Sequence, residues 1–132
     1  MITEDYVSFE LAQLLKEKGF DGQCATKYDS NGCIWDNIRY DGIFLGNNDI
    51  FPEEYLSPTL QMAMKWLREV HNVFIDISSR FSKNADSDVC FSYSCKKLID
   101  TYKSSYEIGD GEWLSYEEAC EAAIKYCLEN LI

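Results

Sequence analysis

The C-terminal residues carry the pattern that most constrains how this chain can fold. Ser115 and Glu118 have the spacing of a capping box, which predicts that a helix begins there. Apolar and small residues then recur at helical spacing, namely Tyr116, Ala119, Cys120, Ala123, Cys127 and Leu131. The opposite face is charged, so one side of this segment must pack against other parts of the chain. We therefore predict an amphipathic helix over 115–130.

Two further helices are predicted earlier in the chain. Ser57 can serve as an N-cap and Pro58 suits the first helical position, which predicts a helix over 57–71. Its apolar residues cover a wide face: Leu60, Met62, Ala63, Met64, Trp66, Leu67 and Val70. A shorter apolar pattern predicts a helix over 8–18, and Gly19 follows it as the left-handed residue that commonly ends a helix.

The dipeptide Asn31-Gly32 is the strongest short signal for a β-hairpin, and it predicts one over 24–38. With these two residues as the loop, Tyr28 lies opposite Trp35, and this aromatic pair would help to fix the register. Residues 41–56 follow as a long acidic connection that is rich in Gly and Asn.

Alternating apolar residues predict a meander of three strands over 72–106, with a loop at 79–88. The third strand, 98–106, is ambiguous between strand and helix; we favour a strand because Gly109-Asp110-Gly111 soon breaks the chain. These elements predict a single α+β domain over 1–132. In it, three helices pack on a mostly antiparallel sheet made of the hairpin and the meander.

The net charge of the chain disfavours some classes of binding partner and favours others. It carries 23 Asp and Glu but only 12 Lys and Arg, which gives a net charge of −11 and a pI near 4.4. Such a surface repels nucleic acids and anionic membranes and attracts basic partners. The N-terminus lacks the basic and apolar regions of a signal peptide, and no apolar run approaches the ~20 residues of a membrane helix. We therefore expect a cytoplasmic protein with no nucleic-acid or membrane partner.

Residues typical of catalysis and cofactor binding are scarce. The lone histidine, His71, lies at the end of a predicted helix, where a positive charge suits the helix dipole. The sequence contains no nucleophile elbow, Walker loop or dinucleotide-binding motif. The nearest match to a calcium loop has Arg39 at a ligand position and Asn48 where Glu is required. We predict no catalytic, cofactor-binding or metal-binding residues, no cofactor, and no enzymatic activity.

Six cysteines raise the question of disulfides. Cys90 and Cys95 are five residues apart on a predicted strand, so their side chains point to opposite faces. Cys120 and Cys127 are separated by about 10 Å of helical rise, which is farther than a disulfide spans. We interpret the cysteines as small core residues in a reducing compartment. Pairs between distant parts of the chain stay open.

A run of acidic residues between Ser105 and Ile124 is the candidate binding surface. It contains no Lys or Arg, and Trp113 lies among its acids. The hypothesis is that these residues form an acidic, aromatic surface for a protein partner; the alternative is a solvated surface with Trp113 covering the core. The candidate residues are Glu107, Asp110, Glu112, Trp113, Glu117, Glu118 and Glu121.

Three segments carry a resemblance: ITEDYVSFELAQLLKEKGFD (2–21), SPTLQMAMKWLREVHNVFIDI (57–77) and LSYEEACEAAIKYCLENLI (114–132). Together they resemble a group of small uncharacterised proteins from phages, prophages and related mobile elements of gut anaerobic bacteria. The group has no assigned activity, so no residue role is carried over. The resemblance implies a bacterial or phage cytoplasmic origin and an accessory role.

These observations favour a non-enzymatic acidic accessory protein, a monomer or weak homodimer, that binds another protein, and the charge favours a basic partner. One version is an inhibitor, encoded by a phage or mobile element, that places carboxylates where a nucleic-acid enzyme expects phosphates. A second is an immunity-type protein that binds a basic toxin. The alternatives from other classes are a small-ligand binder or enzyme of unknown type, and a virion component.

Overall fold

The computed structural model describes residues 2–37, 42–81, 89–100, 103–109 and 111–132, and for residues 100 and 103–107 it describes the backbone alone. The chain divides into two compact units, Met1–Trp66 and Leu67–Ile132, with the division inside a helix. Each unit has its own three-stranded antiparallel sheet. The predicted α+β fold is confirmed, while the single domain over 1–132 remains a prediction.

Three α-helices occur in the described ranges: α1 is Phe9–Glu17, α2 is Leu60–His71 and α3 is Tyr116–Asn130. The strands are β1 Thr26–Tyr28, β2 Ile34–Asp36, β3 Tyr55–Ser57, β4 Val73–Phe81, β5 Val89–Asp100 and β6 Lys103–Ile108. A 3₁₀ turn, Asn47–Asp49, lies in the connection before β3.

The three predicted helices are present, and Ser115 caps the last one as predicted, while Ser8 is found to cap the first. The hydroxyl of Ser8 accepts a hydrogen bond from the Leu11 amide, and that of Ser115 accepts one from the Glu118 amide at 3.1 Å. Gly19 ends α1 with φ at +86°, the left-handed conformation expected of a residue after a helix.

The prediction that Ser57 caps the middle helix is wrong. Ser57 is the last residue of β3, where it pairs with Thr26 of β1. The cap of α2 is instead Thr59, whose hydroxyl accepts a hydrogen bond from the Met62 amide at 3.1 Å. Both hydroxyls precede the same apolar run, and pairing with β1 holds Ser57 in an extended conformation.

The first hairpin forms with a register that differs by one residue from the prediction. Lys27, rather than Tyr28, lies opposite Trp35, and Tyr28 pairs with Ile34. The loop has three residues instead of two, because the amides of Gly32 and Asp29 bond to the carbonyls of Asp29 and Cys33. Gly32 takes a φ of +82°, as the third residue of such a loop requires.

The strands form two sheets, where the prediction placed hairpin and meander in one. In the first unit β1 is the central strand, with β2 on one side and β3 on the other. In the second unit β5 is central, between β4 and β6. The strand β3 begins at the end of the predicted connection 41–56 and pairs with the edge of β1 opposite β2.

The predicted meander is present. The ambiguous stretch 98–106 contains the end of β5 and the start of β6, so the strand interpretation is correct for its described residues. The prediction of a loop over 79–88 is wrong for residues 79–81, because β4 continues to Phe81; residues 82–88 lie outside the described part of the chain.

Candidate protein-binding segment

The candidate site is the stretch that leads into α3 and includes its first turns, residues 112–121, which we call the acidic segment. Its backbone is fixed to β5 at one point. The amide of Trp113 donates to the carbonyl of Phe91 at 2.9 Å, and the amide of Phe91 donates to the carbonyl of Trp113 at 2.8 Å. Two residues later Ser115 begins the helix. The acidic segment is therefore held by a strand contact at one end and by helical hydrogen bonds at the other.

The indole of Trp113 packs inside the second unit. Its ring centroid lies 5.2 Å from that of Tyr93 on β5, and the side chain is half-buried. Gly111 lies against the same ring, where an added Cβ would approach the indole to 3.3 Å. Because its face is already covered, Trp113 positions the acidic segment on the sheet.

Leu114 is the most exposed apolar side chain of the acidic segment, with 79% of its surface exposed, compared with 37% for Tyr116. It occupies the position before the N-cap, where an apolar residue commonly packs against the fourth helical residue. That fourth residue is Ala119, which is fully buried and too short to reach back over the cap. The sequence analysis did not select Leu114. The signal that could have identified it is a large apolar residue before the N-cap with only an alanine, Ala119, at the fourth helical position.

The carboxylates of the acidic segment differ in their surroundings. Glu112 forms an ion pair with Arg80 of β4, with 2.6 Å between Oε1 and Nη2. Glu117 and Glu118 are exposed in the first turn of α3, where the helix dipole favours negative charge. Glu121 lies one turn further along α3 and is half-buried.

Five of the seven candidate residues thus lie in one stretch that the structure describes: Glu112, Trp113, Glu117, Glu118 and Glu121. The backbone of Glu107 pairs with Cys95 of β5, and its side chain is outside the description. Asp110 lies outside the described residues altogether. The segment joins exposed carboxylates to one exposed leucine.

Described residues of the first unit line two cavities. One, of about 300 Å³, is lined by Phe20, Phe51 and Lys16 among others. The ammonium of Lys16 already donates hydrogen bonds to the carbonyl oxygens of Pro52 and Glu54. The Lys16 ammonium is therefore already held by backbone carbonyl groups of the protein.

The second cavity, of about 110 Å³, is lined by Cys24, Ser57 and Met62 among others. Burial raises the pKa of Cys24 to about 12, so this thiol stays protonated near neutral pH and is a poor nucleophile. The Ser57 hydroxyl is fully buried and makes no hydrogen bond to the protein.

His71 ends α2 as predicted, but its charge state differs from the expectation. Burial, helped by the nearby charge of Lys97, lowers the pKa of His71 below its ordinary value. The imidazole is therefore mainly neutral at pH 7 and provides little positive charge to the helix dipole.

Across the described ranges, no group of three or more His, Cys, Asp and Glu side chains is placed to hold a metal ion. Among the helices of those ranges, none combines the length and apolar character needed to cross a membrane. No protein-family model, curated protein or solved structure matched this chain. The resemblance to phage and mobile-element proteins therefore stays an expectation.

Proposed function

We propose that this chain is a non-enzymatic accessory protein that binds another protein through the acidic segment. The observation that carries the proposal is Leu114, which is 79% exposed and lies in the chain between Glu112, which pairs with Arg80, and the exposed Glu117 and Glu118. An apolar contact at the centre of an interface with charged residues around it is the usual arrangement of a protein-binding surface. The partner that fits has an apolar pocket for Leu114 with Lys or Arg around it.

The backbone of the acidic segment supports this role because it is ordered before any partner binds. Trp113 is hydrogen-bonded to Phe91, and Ser115 caps the helix that presents Glu117 and Glu118. A surface that is already ordered loses less conformational entropy on association. Leu114 lies between these two fixed points and is presented in a defined position.

The net charge of −11 supports a basic partner. Opposite charges on two proteins accelerate their encounter, and this acceleration decreases as salt screens the charges. The proposal therefore expects association to slow as ionic strength rises. We propose in addition that the protein acts in the cytoplasm of a bacterial host and that it is a monomer or a weak homodimer.

The inhibitor and immunity versions of the proposal differ in what the partner normally binds. If the carboxylates of the acidic segment occupy a phosphate-binding surface, DNA or RNA should compete with the chain for its partner. If the partner is a basic toxin whose target is not a nucleic acid, the complex should be indifferent to added nucleic acid. The competition measurement separates the two versions once the partner is known.

The experiment is affinity capture from a host lysate treated with nuclease, using the wild-type chain and two triple variants. The first, L114S/E117Q/E118Q, removes the exposed leucine and two carboxylates from the acidic segment. The matched control, I2S/E4Q/E17Q, makes the same chemical changes in the first unit, where Ile2 is fully exposed. We expect one protein to be captured by the wild type and by the control, with a loss of at least about fivefold for the first variant. Equal capture by all three chains would contradict the proposal.

A further inference from the structure

Two cysteines from distant parts of the chain meet in the second unit. Cys95 is on β5 and Cys127 is on α3, and their Sγ atoms are 3.3 Å apart. Both side chains are buried, with 1% of Cys95 and none of Cys127 exposed. Sequence reasoning excluded the neighbouring pairs and left distant pairs open, and this is such a pair.

We propose that Cys95 and Cys127 form a disulfide under oxidising conditions, which makes the stability of the second unit depend on its redox state. This proposal is independent of the acidic segment and of any partner. It rests on the geometry of the two sulfurs and on the contacts that hold their elements together.

Contacts on both sides of the pair fix α3 against β5. Two residues before Cys95, the ring of Tyr93 lies 6.2 Å from the ring of Tyr126, measured between centroids. Two residues after it, the ammonium of Lys97 donates a hydrogen bond to the carbonyl of Leu131. Because alternate residues of a strand share one face, Tyr93, Cys95 and Lys97 all point toward α3. The helix and strand are thus already in register at the two cysteines.

The covalent bond requires only a small movement. A disulfide has an S–S distance of about 2.05 Å, so the sulfurs must approach by roughly 1.3 Å. Rotation about the Cα–Cβ bonds can supply such a displacement without a change of register. Both residues lie inside long regular elements, β5 and α3.

The fold also favours this pair over the other cysteines. Cys90 is on the same strand as Cys95 but on its opposite face. Cys120 is on the same helix as Cys127, about 10 Å away along its axis. Cys24 and Cys33 belong to the first unit.

The reaction is a thiol–disulfide exchange with oxidised glutathione as the oxidant. The thiolate of one cysteine attacks the S–S bond of oxidised glutathione and releases one reduced glutathione. The thiolate of the other cysteine then attacks this mixed disulfide, forms the bond between Cys95 and Cys127, and releases the second glutathione. The two protein sulfurs lose two electrons, glutathione gains them, and the two thiol protons end on the two glutathione molecules.

The rate of this reaction depends on access to the thiols. The hydrogen bond with Cys95, together with burial, raises the pKa of Cys127, so the thiolate is rare in the native state. We therefore expect slow oxidation of the native chain and faster oxidation during refolding, when both thiols are exposed. The disulfide between Cys95 and Cys127 should accumulate because it is compatible with the native structure.

The test is refolding of the full chain in a glutathione buffer that contains the oxidised form, compared with refolding in reductant. The C33S variant serves as the background, because Cys33 is the exposed cysteine and can link two chains. We expect peptide mapping without reduction to find one Cys95–Cys127 disulfide, with the other cysteines free. The melting temperature should rise by roughly 10 °C and return to its starting value in reductant.

A second pair of variants keeps the test decisive. C33S/C127A should gain no internal disulfide, whereas C33S/C24A should still form the bond between Cys95 and Cys127. A different pair, a mixture of pairs, or a full complement of free thiols after refolding of the C33S chain would overturn the proposal. The mapping result decides the question even where an alanine variant fails to fold.

Discussion

Trp35 donates a hydrogen bond from Nε1 to Oδ2 of Asp29, at 3.0 Å, across the loop of the first hairpin. The other carboxylate oxygen of Asp29 accepts from the amides of Asn31 and Cys33. One side chain therefore holds the three-residue loop and the strand that follows it. This explains why Asn31-Gly32 does not form the two-residue loop that the dipeptide alone predicts.

Replacing Asp29 with alanine should destabilise the chain in a pH-dependent manner. The hydrogen bonds from Trp35 and from the Cys33 and Asn31 amides lower the pKa of Asp29. Because this pKa is below the value of about 3.9 in the unfolded chain, the stabilisation is present above that pH and is lost as the pH falls further. Urea denaturation at several pH values should show a gap between wild type and D29A at pH 7 that narrows below pH 4.

The control for this prediction is D21A, which removes an exposed aspartate outside the hairpin and should leave the unfolding free energy almost unchanged. A gap for D29A of the same size at pH 3 and pH 7 would show that the carboxylate charge does not stabilise the loop.

Glu54 and Lys27 form a second polar contact, and this one is largely buried. Oε2 of Glu54 lies 2.7 Å from the Lys27 ammonium, and Oε1 accepts a hydrogen bond from the Phe51 amide. Burial raises the pKa of Glu54, but the hydrogen bonds from Lys27 and Phe51 together lower it by more. The net shift of the Glu54 pKa is therefore downward.

The variant E54Q should reduce the unfolding free energy by about 1–3 kcal/mol at pH 7, because it weakens a charge-assisted contact and leaves the Lys27 charge unpaired. The loss should shrink as the pH falls below about 4.3, where the unfolded glutamate takes up a proton. E53Q, at the exposed neighbouring position, is the matched control in the same denaturation series. Equal effects of E54Q and E53Q would refute a stabilising role for the Lys27 contact.

Ser57 and Thr26 offer a test of how buried hydroxyls affect this fold. The Thr26 hydroxyl donates to the carbonyl of Ser57 at 2.6 Å, whereas the hydroxyl of Ser57 has no protein partner. T26V should therefore lower the unfolding free energy by about 1 kcal/mol, while S57A should leave it unchanged or raise it slightly. Thermal and urea denaturation measure both. A loss of 1 kcal/mol or more for S57A would mean that the Ser57 hydroxyl is satisfied by a molecule held in the adjoining cavity.

The sequence predicts the helices well because their signals are local. Ser115 precedes an apolar run of helical period and acts as the cap that the pattern predicts, and Ser8 caps the first predicted helix in the same way. Near α2 two hydroxyls compete for the same role, and the choice of Thr59 depends on Ser57 pairing with a distant strand. That pairing connects residues 31 positions apart and leaves no local trace.

The hairpin register and the exposure of Leu114 also depend on contacts that local sequence patterns do not reveal. The register is set by the carboxylate of Asp29, which accepts hydrogen bonds from the amides of Asn31 and Cys33. The dipeptide Asn31-Gly32 alone does not show whether these bonds or a two-residue turn will form. The acidic residues 112–121 could be selected from their composition, but the exposure of Leu114 depends on the packing around Ala119. The contact between Cys95 and Cys127 requires the position of α3 on β5, which only the folded structure provides.

The central claim is that the acidic segment binds a protein partner, and capture by matched variants tests it most directly. The wild-type chain and I2S/E4Q/E17Q should retain the same protein from nuclease-treated host lysate, and L114S/E117Q/E118Q should lose it by at least about fivefold. Circular dichroism should confirm that all three chains are folded to the same extent. Undiminished capture by L114S/E117Q/E118Q, or the absence of any protein that survives nuclease treatment, would contradict the account.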